Sequence, residues 1–231
     1  MQPPETPSPP GERLLALSGV VFAFLFLVGW FASGADTPDY AAADQDWTAW
    51  ADDSLWRSRI GAVAMLLAGF VFLPFAARVR GVLGDAESTR RGSAQLARVA
   101  FAGAVTGMAT MAMAIVMIAA ATSEGADADP VVSRAVTTAS AGPFLVAAMG
   151  FAALLMAAGL LTLRSEVFPR WTGAVAVFGA VSFLITFLAL ITGTGENSVF
   201  GYGFFPGVSA LIIWSITTSV AMYREVEAAA S

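Results

Sequence analysis

The segment LLALSGVVFAFLFLVGWFAS, residues 14 to 33, decides the class of fold. It carries no charged side chain over 20 residues, and a helix of that length rises about 30 Å, the thickness of the hydrocarbon core of a bilayer. The residues Ser33-Gly34-Ala35 resemble a signal-peptide cleavage site, but the apolar run is longer than the roughly 7 to 15 residues of a signal peptide. We therefore interpret residues 14 to 33 as a first transmembrane helix.

The rest of the chain repeats this pattern. Hydrophobic residues make up 57% of its 231 residues and charged residues only 13%, a composition typical of membrane proteins. We predict an all-α, polytopic membrane helix bundle, with a disordered cytoplasmic leader over 1–13, a membrane domain over 14–223 and a short tail over 224–231. The fourth span is long and contains Gly142-Pro143, which predicts a kink or an extension beyond the membrane. The six predicted spans are residues 14–33, 60–77, 99–122, 135–163, 172–192 and 205–223.

The arginines predict the orientation of the bundle. All 12 basic residues are arginine, and Ala and Gly are abundant, a bias typical of a bacterium with a high-GC genome. If both termini are inside, the outer loops hold only Arg57, Arg59 and Arg134, which leaves nine of the 12 arginines inside and satisfies the positive-inside rule. We predict a multi-pass protein of the bacterial cell membrane with both termini cytoplasmic. The inner arginines predict contact with membrane lipids, and the lack of an aromatic-interleaved basic patch argues against nucleic acid.

Several kinds of chemistry need residue types that the sequence lacks. It has no Cys, His or Lys, which excludes disulfides, thiolate and imidazole ligands, and Schiff-base lysines. No predicted span has a charged residue in its central part, which argues against proton- or sodium-coupled transport. We expect no cofactor and no enzymatic activity. An intramembrane enzyme would have to use interfacial acids such as Glu124, Asp127 or Glu196.

The first outer loop, residues 36–59, has the most distinctive polar pattern. At 100° per residue, Tyr40, Trp47 and Trp50 share one face of a helix, while the neighbouring aspartates point away. We predict a short amphipathic helix at the outer membrane interface or across the top of the bundle. Together with Trp56, these residues form a candidate outer interface or docking surface. A calcium site is the alternative, but EF-hand spacing is absent, and solvated carboxylates are favoured. Its ligands would be Asp44, Asp46, Asp52 and Asp53.

Small and hydroxylated residues form one stripe along the third span. Gly103, Thr106, Gly107 and Thr110 fall within about 100° of arc, which predicts a candidate helix-packing face. Such a face suits a dimer or a pore-lining seam, but packing within the bundle is favoured, because small residues are common wherever membrane helices meet.

Three hydroxyls in the sixth span, those of Ser215, Thr218 and Ser219, also share one arc of the helix. We expect them to bond a neighbouring helix or the carbonyls of their own helix, and to serve packing.

The triplet Gly201-Tyr202-Gly203 matches part of a potassium-channel filter. A filter needs four copies of a loop whose carbonyls face a pore, and the segment between the fifth and sixth spans is too short for a pore helix and its turn. We predict instead a tight outer turn, with Tyr202 and Phe204 as interface anchors and Pro206 in the first turn of the last span.

Two short motifs and the layout support a resemblance. The sequence FPRWTG, residues 168–173, precedes the fifth span, and FFPG, residues 204–207, opens the sixth. With six spans and a tryptophan-bearing first outer loop, the chain resembles uncharacterised six-helix integral membrane proteins of high-GC Gram-positive bacteria. The resemblance implies a six-helix fold and no particular catalytic or binding residue.

Two functional hypotheses follow. The first is a non-enzymatic membrane protein that associates with itself, as a homo-oligomer, or with an envelope protein partner. The alternative is a carrier or permease for a small neutral or apolar molecule, with a cavity between the helices near the middle of the membrane.

Overall fold

A computed structural model describes residues 10–33, 37–39, 41–91, 94–188 and 199–228. These residues form seven α-helices and two short 3-10 helices and include no strand, which confirms the all-α class. Six helical stretches are long and apolar enough to cross a membrane, and α4 with α5 together make one of them. The α-helices are α1 (Pro10–Ala32), α2 (Asp44–Arg91), α3 (Gln95–Ala121), α4 (Pro130–Ala139), α5 (Ala141–Ser165), α6 (Arg170–Ile185) and α7 (Val199–Ala228).

The spanning helices form a closed ring. α1 packs on α2, α2 on α3, α3 on α5, α5 on α6 and α6 on α7, and α7 returns to α1. Because consecutive spans alternate in direction, the beginning of α1 and the end of α7 lie at the same end of the ring, which we call the terminal end.

Aromatic side chains fill the interior of the ring. Phe22 of α1 meets Phe72 of α2 at 4.3 Å between ring centroids, and Phe75 meets Trp214 of α7 at 5.8 Å. Other rings in this interior come from α5 and α6, so five of the six spans contribute to it. Close-packed rings of this kind stabilise the bundle through apolar contact and edge-to-face geometry.

The helix that the sequence predicts in the first outer loop is continuous with the second span. α2 begins at Asp44 and runs without a break into residues 60–77. No Gly or Pro lies between Asp44 and Ile60, so no residue there breaks the helical hydrogen-bond pattern. The outer segment is therefore the first four turns of a 48-residue helix.

The last helix begins earlier than the sequence predicts. α7 starts at Val199, so Gly201 and Gly203 are helical and Pro206 lies inside the helix. The predicted turn is therefore wrong for Gly201 and Gly203, as is the first-turn role of Pro206; residues 189–198 lie outside the described part of the chain. A Cβ on Gly203 would lie 2.6 Å from the carbonyl oxygen of Ser182, so this glycine lets α7 approach α6. Helical carbonyls accept intrahelical hydrogen bonds, and the triplet does not present the carbonyls of a filter.

The ends of the other helices lie closer to the predicted positions. α1 starts at Pro10, inside the predicted leader, and residues 1–9 lie outside the described part; α7 continues to Ala228, inside the predicted tail. The long fourth span is divided at Ser140, two residues before Gly142, into α4 and α5. Pro143 is the third residue of α5, where its missing N–H costs no intrahelical hydrogen bond.

Glu87 fixes the connection between α2 and α3. Its buried carboxylate accepts hydrogen bonds from the backbone N–H groups of Leu96 and Ala97, both at 3.1 Å. These donors belong to the first turn of α3 and have no partner within that helix. A side chain of α2 thus caps α3 and connects the end of one helix to the start of the next.

Candidate functional site: an acidic outer cap

The end of the ring opposite the terminal end carries a structured cap. It consists of residues 44–59 of α2, the 3-10 helix Gly125–Asp127 and α4, and we call it the outer cap. Asp129 starts α4: its carboxylate accepts from the N–H groups of Val131 at 2.8 Å and Val132 at 3.4 Å, and Pro130 follows at the first helical position.

Three hydrogen bonds connect the cap to the end of α3. Ser58 and Thr122 share a hydrogen bond of 2.5 Å between hydroxyls, and the Arg59 guanidinium donates to the Ser123 carbonyl at 3.0 Å. The Ser133 hydroxyl of α4 donates to the Ala121 carbonyl at 2.7 Å. Side chains from α2 and α4 thereby satisfy carbonyls that the C-terminus of α3 leaves open.

Arg134 joins α4 to the beginning of α2. One terminal nitrogen donates to the Ala42 carbonyl at 3.0 Å and to the Asp44 carboxylate at 2.8 Å. The guanidinium also lies 5.7 Å from the centroid of the Trp47 ring. With only 22% of its side chain exposed, Arg134 makes these contacts in a partly dehydrated setting, where they are stronger than at an open surface.

The predicted aromatic surface is mostly turned inward. Trp47 and Trp50 are 1% and 8% exposed and meet edge to face at 5.7 Å, whereas Trp56 is 68% exposed beneath the Arg59 guanidinium. Tyr40 lies outside the described residues. The expectation of one exposed docking surface is therefore wrong for Trp47 and Trp50, because the bundle and α4 cover the face on which they lie.

The exposed side of the cap is acidic. Gly125, with a left-handed φ of 54°, brings the 3-10 helix so close to α2 that a Cβ there would lie 3.3 Å from a carboxylate oxygen of Asp52. Within the described ranges, no three acidic side chains lie close enough together to hold a metal ion, so the alternative calcium site is not assembled. The exposed acids of the cap and of the residues that adjoin its short helices outnumber the exposed arginines, Arg57 and Arg59; the acids are Asp44, Asp46, Asp52, Asp53, Glu124, Asp127 and Asp129.

The small-residue stripe of the third span is divided between two environments. Gly103 and Gly107 face α5, where a Cβ on Gly103 would lie 2.5 Å from the Gly150 carbonyl oxygen. Thr106 is exposed, and the Thr110 hydroxyl donates to the Thr106 carbonyl at 2.7 Å. The two glycines serve close contact within the chain, and the threonines lie toward the outside of the ring.

Buried hydroxyls without hydrogen-bond partners lie on the halves of α5 and α7 nearer the terminal end. The hydroxyls of Ser215, Thr218 and Ser219 on α7 and of Thr162 on α5 are fully buried and have no hydrogen-bond partner among the described residues. The three α7 hydroxyls thus make neither of the hydrogen bonds that their spacing permits, and the sequence pattern does not single out Thr162. Four unsatisfied hydroxyls in an apolar interior are unfavourable unless something polar reaches them.

Comparison of the chain with protein-family models, with curated proteins and with solved structures finds no match.

Proposed function

We propose that this integral membrane protein acts by association, and that its outer cap binds a basic segment of an envelope protein partner. The observation that supports this proposal is the fixed position of an acidic surface: Arg134, Arg59 and Ser133 hold the cap against the bundle by hydrogen bonds. A surface held in place before binding loses little conformational entropy when a partner arrives.

The sign of the charge favours a different protein over a second copy. Two acidic caps repel each other, whereas a Lys- and Arg-rich segment is attracted and steered toward the cap. The glycine face of α3, which would suit a homo-oligomer, lies against Gly150 of the same chain. The surfaces that would favour self-association are thus used inside the molecule.

The experiment compares charge-neutralised variants at the two ends. The full chain is cross-linked in its native membrane, extracted in mild detergent and analysed by mass spectrometry. We expect a cross-linked partner with a basic exposed segment, and a loss of most of the cross-link in the triple variant Asp46→Asn, Asp52→Asn, Asp53→Asn. All three side chains are exposed, so the fold should be unaffected.

The matched control is Glu225→Gln with Glu227→Gln, which removes two exposed acids at the terminal end. This control should keep the cross-link. Recovery of a lone monomer from the wild type, or of a homo-oligomer that the triple variant leaves intact, would contradict the proposal.

The carrier hypothesis is the second candidate, and the unpartnered interior hydroxyls favour it. Thr162, Thr218 and their neighbours offer donors and acceptors to a small neutral molecule inside the ring. Glycerol uptake into proteoliposomes, followed by light scattering, tests this function. Uptake should exceed that of protein-free liposomes and fall in Thr218→Val; equal uptake with and without protein rejects it.

A further inference from the structure

A hollow of about 410 Å³ lies between α2 and α3 at the terminal end. Gly81 and Gly84 of α2 form its floor, and the side chains of Arg80, Asp85, Ser88 and Arg98 surround it. None of the four belongs to the outer cap or to the interior hydroxyl group. The hollow is therefore a separate feature of the molecule.

Helix packing does not account for the glycine in its floor. A Cβ on Gly81 would meet no atom within 4 Å, whereas a Cβ on Gly103 or Gly150 would collide with the backbone of the facing helix. Gly103 and Gly150 allow two helices to touch, whereas Gly81 leaves open space. Glu87 of α2 accepts hydrogen bonds from the start of α3 and so connects the two walls of this space.

The two arginines lie at the edge of the apolar band. The uncharged run of α2 over residues 60–77 ends just before Arg78 and Arg80, and that of α3 over 99–121 begins just after Arg98. The Arg80 guanidinium lies 5.3 Å from the centroid of the Phe101 ring, on the apolar side. In a bilayer, a hollow at this depth opens among the phosphate groups of the lipids.

The side chains around the hollow determine which lipid headgroup it can bind. Guanidinium groups bind phosphate oxygens through paired, charge-assisted hydrogen bonds. The backbone N–H groups of Leu96 and Ala97 are already bonded to Glu87, so the arginines are the anion-binding groups. The Asp85 carboxylate repels a ligand with a second negative charge, but it accepts hydrogen bonds from hydroxyl groups of the ligand. Together these groups suit a singly charged phosphodiester that carries a hydroxylated headgroup.

We propose that this hollow binds the headgroup of an anionic phospholipid of the phosphatidylglycerol type, with its phosphate between Arg80 and Arg98 and its hydroxyls near Asp85. The lipid would hold the ends of α2 and α3 together on the membrane side of their turn. This site is independent of the outer cap and of any partner bound there.

The test measures lipid bound to the purified full chain. Protein in uncharged detergent micelles is titrated with phosphatidylglycerol or with phosphatidylcholine, and bound lipid is counted by native mass spectrometry. We expect phosphatidylglycerol to be retained in preference to phosphatidylcholine. Its affinity should fall about tenfold in Arg80→Gln and again in Arg98→Gln, because each change removes a charge-assisted contact. Gly81→Leu, whose Cβ would meet no atom within 4 Å, places a bulky side chain in the hollow and should abolish the preference.

Two controls accompany these variants. Gly142→Leu adds the same side chain at another glycine with open space, and Arg170→Gln removes an exposed arginine at the same end; both should bind lipid as the wild type does. A separate titration with inorganic phosphate should neither displace the lipid nor raise the thermal midpoint. Equal binding of the two lipids, retention of the preference in Gly81→Leu, or displacement by inorganic phosphate would each overturn the proposal.

Discussion

The two ends of the ring use their charged residues differently. At the outer cap, Arg59 and Arg134 donate to backbone carbonyls, and Asp129 caps a helix. At the terminal end, Arg80, Arg98 and Arg170 are exposed. Arg59 and Arg134, two of the three arginines that the sequence assigns to the outer loops, thus stabilise the structure of the cap. Arg59 and Arg134 connect elements of the chain, whereas these three arginines of the terminal end are turned toward the surroundings.

The largest difference between the ends is expected for tryptophan. Trp47→Ala in the cap should lower the free energy of unfolding by about 3 to 5 kcal/mol, because it removes a fully buried ring. Trp171→Ala, which truncates a half-exposed ring at the terminal end, should cost less than about 1 kcal/mol. Titration with SDS in mixed micelles, followed by circular dichroism, measures both. Equal losses would show that the cap is not packed more tightly than the terminal end.

A second comparison concerns two carboxylates that cap helices. Glu87→Ala should cost about 3 kcal/mol, because Glu87 is only 4% exposed and its loss leaves two N–H groups without partners. Asp129→Ala should cost about 1 kcal/mol, since water replaces the exposed carboxylate of Asp129. The same titration applies. If Asp129→Ala lowers the free energy of unfolding more than Glu87→Ala does, Glu87 is not the carboxylate that stabilises its helix more strongly.

Arginines at the two ends should also differ in their effect on stability. Arg134→Met keeps an apolar stem but removes two hydrogen bonds and the contact with Trp47, and should cost about 2 kcal/mol. Arg170→Met removes an exposed ion pair with Glu166 and should cost less than about 0.5 kcal/mol. Near-ultraviolet circular dichroism provides a second readout, because only the first change alters the surroundings of Trp47. An unchanged spectrum in Arg134→Met would contradict the contact.

The smallest effect, and the only one of opposite sign, is expected in the interior between the two ends. Thr218→Val replaces an unpartnered buried hydroxyl by a methyl group of similar size and should stabilise the protein by up to about 1 kcal/mol. Thermal unfolding in detergent measures the shift. A loss of stability would show that the hydroxyl has a bonding partner, and would also remove the observation that favours the carrier hypothesis.

The centres of the six spans could be predicted from the sequence, because run length and the absence of charge determine where a helix crosses a membrane. Their ends could not. α2 extends before its apolar run because Arg59 and Arg134 bind this part of the helix to neighbouring elements, and α7 begins before Pro206 because Gly203 fits against α6. In both cases the limit of the helix depends on contacts with other helices.

Only part of the candidate site could be predicted, because its burial also depends on contacts between helices. Periodicity groups Trp47 and Trp50 on one face, and the structure buries both. That α4 and the bundle cover this face, rather than lipid or a partner, depends on the long-range contacts of Arg134. The hollow beside Gly81 depends on how α3 packs beside α2, and no pattern within α2 indicates it.

The length of α2 has a mechanical consequence. At about 1.5 Å per residue its 48 residues extend roughly 72 Å, more than twice the hydrocarbon thickness of a bilayer. One continuous rod therefore carries Trp47 at one end and Arg80 near the other, with Pro74 as the point where a backbone hydrogen bond is missing. A force that tilts the rod at one side of the membrane moves its far end as a lever does, with Pro74 as the place where it can bend.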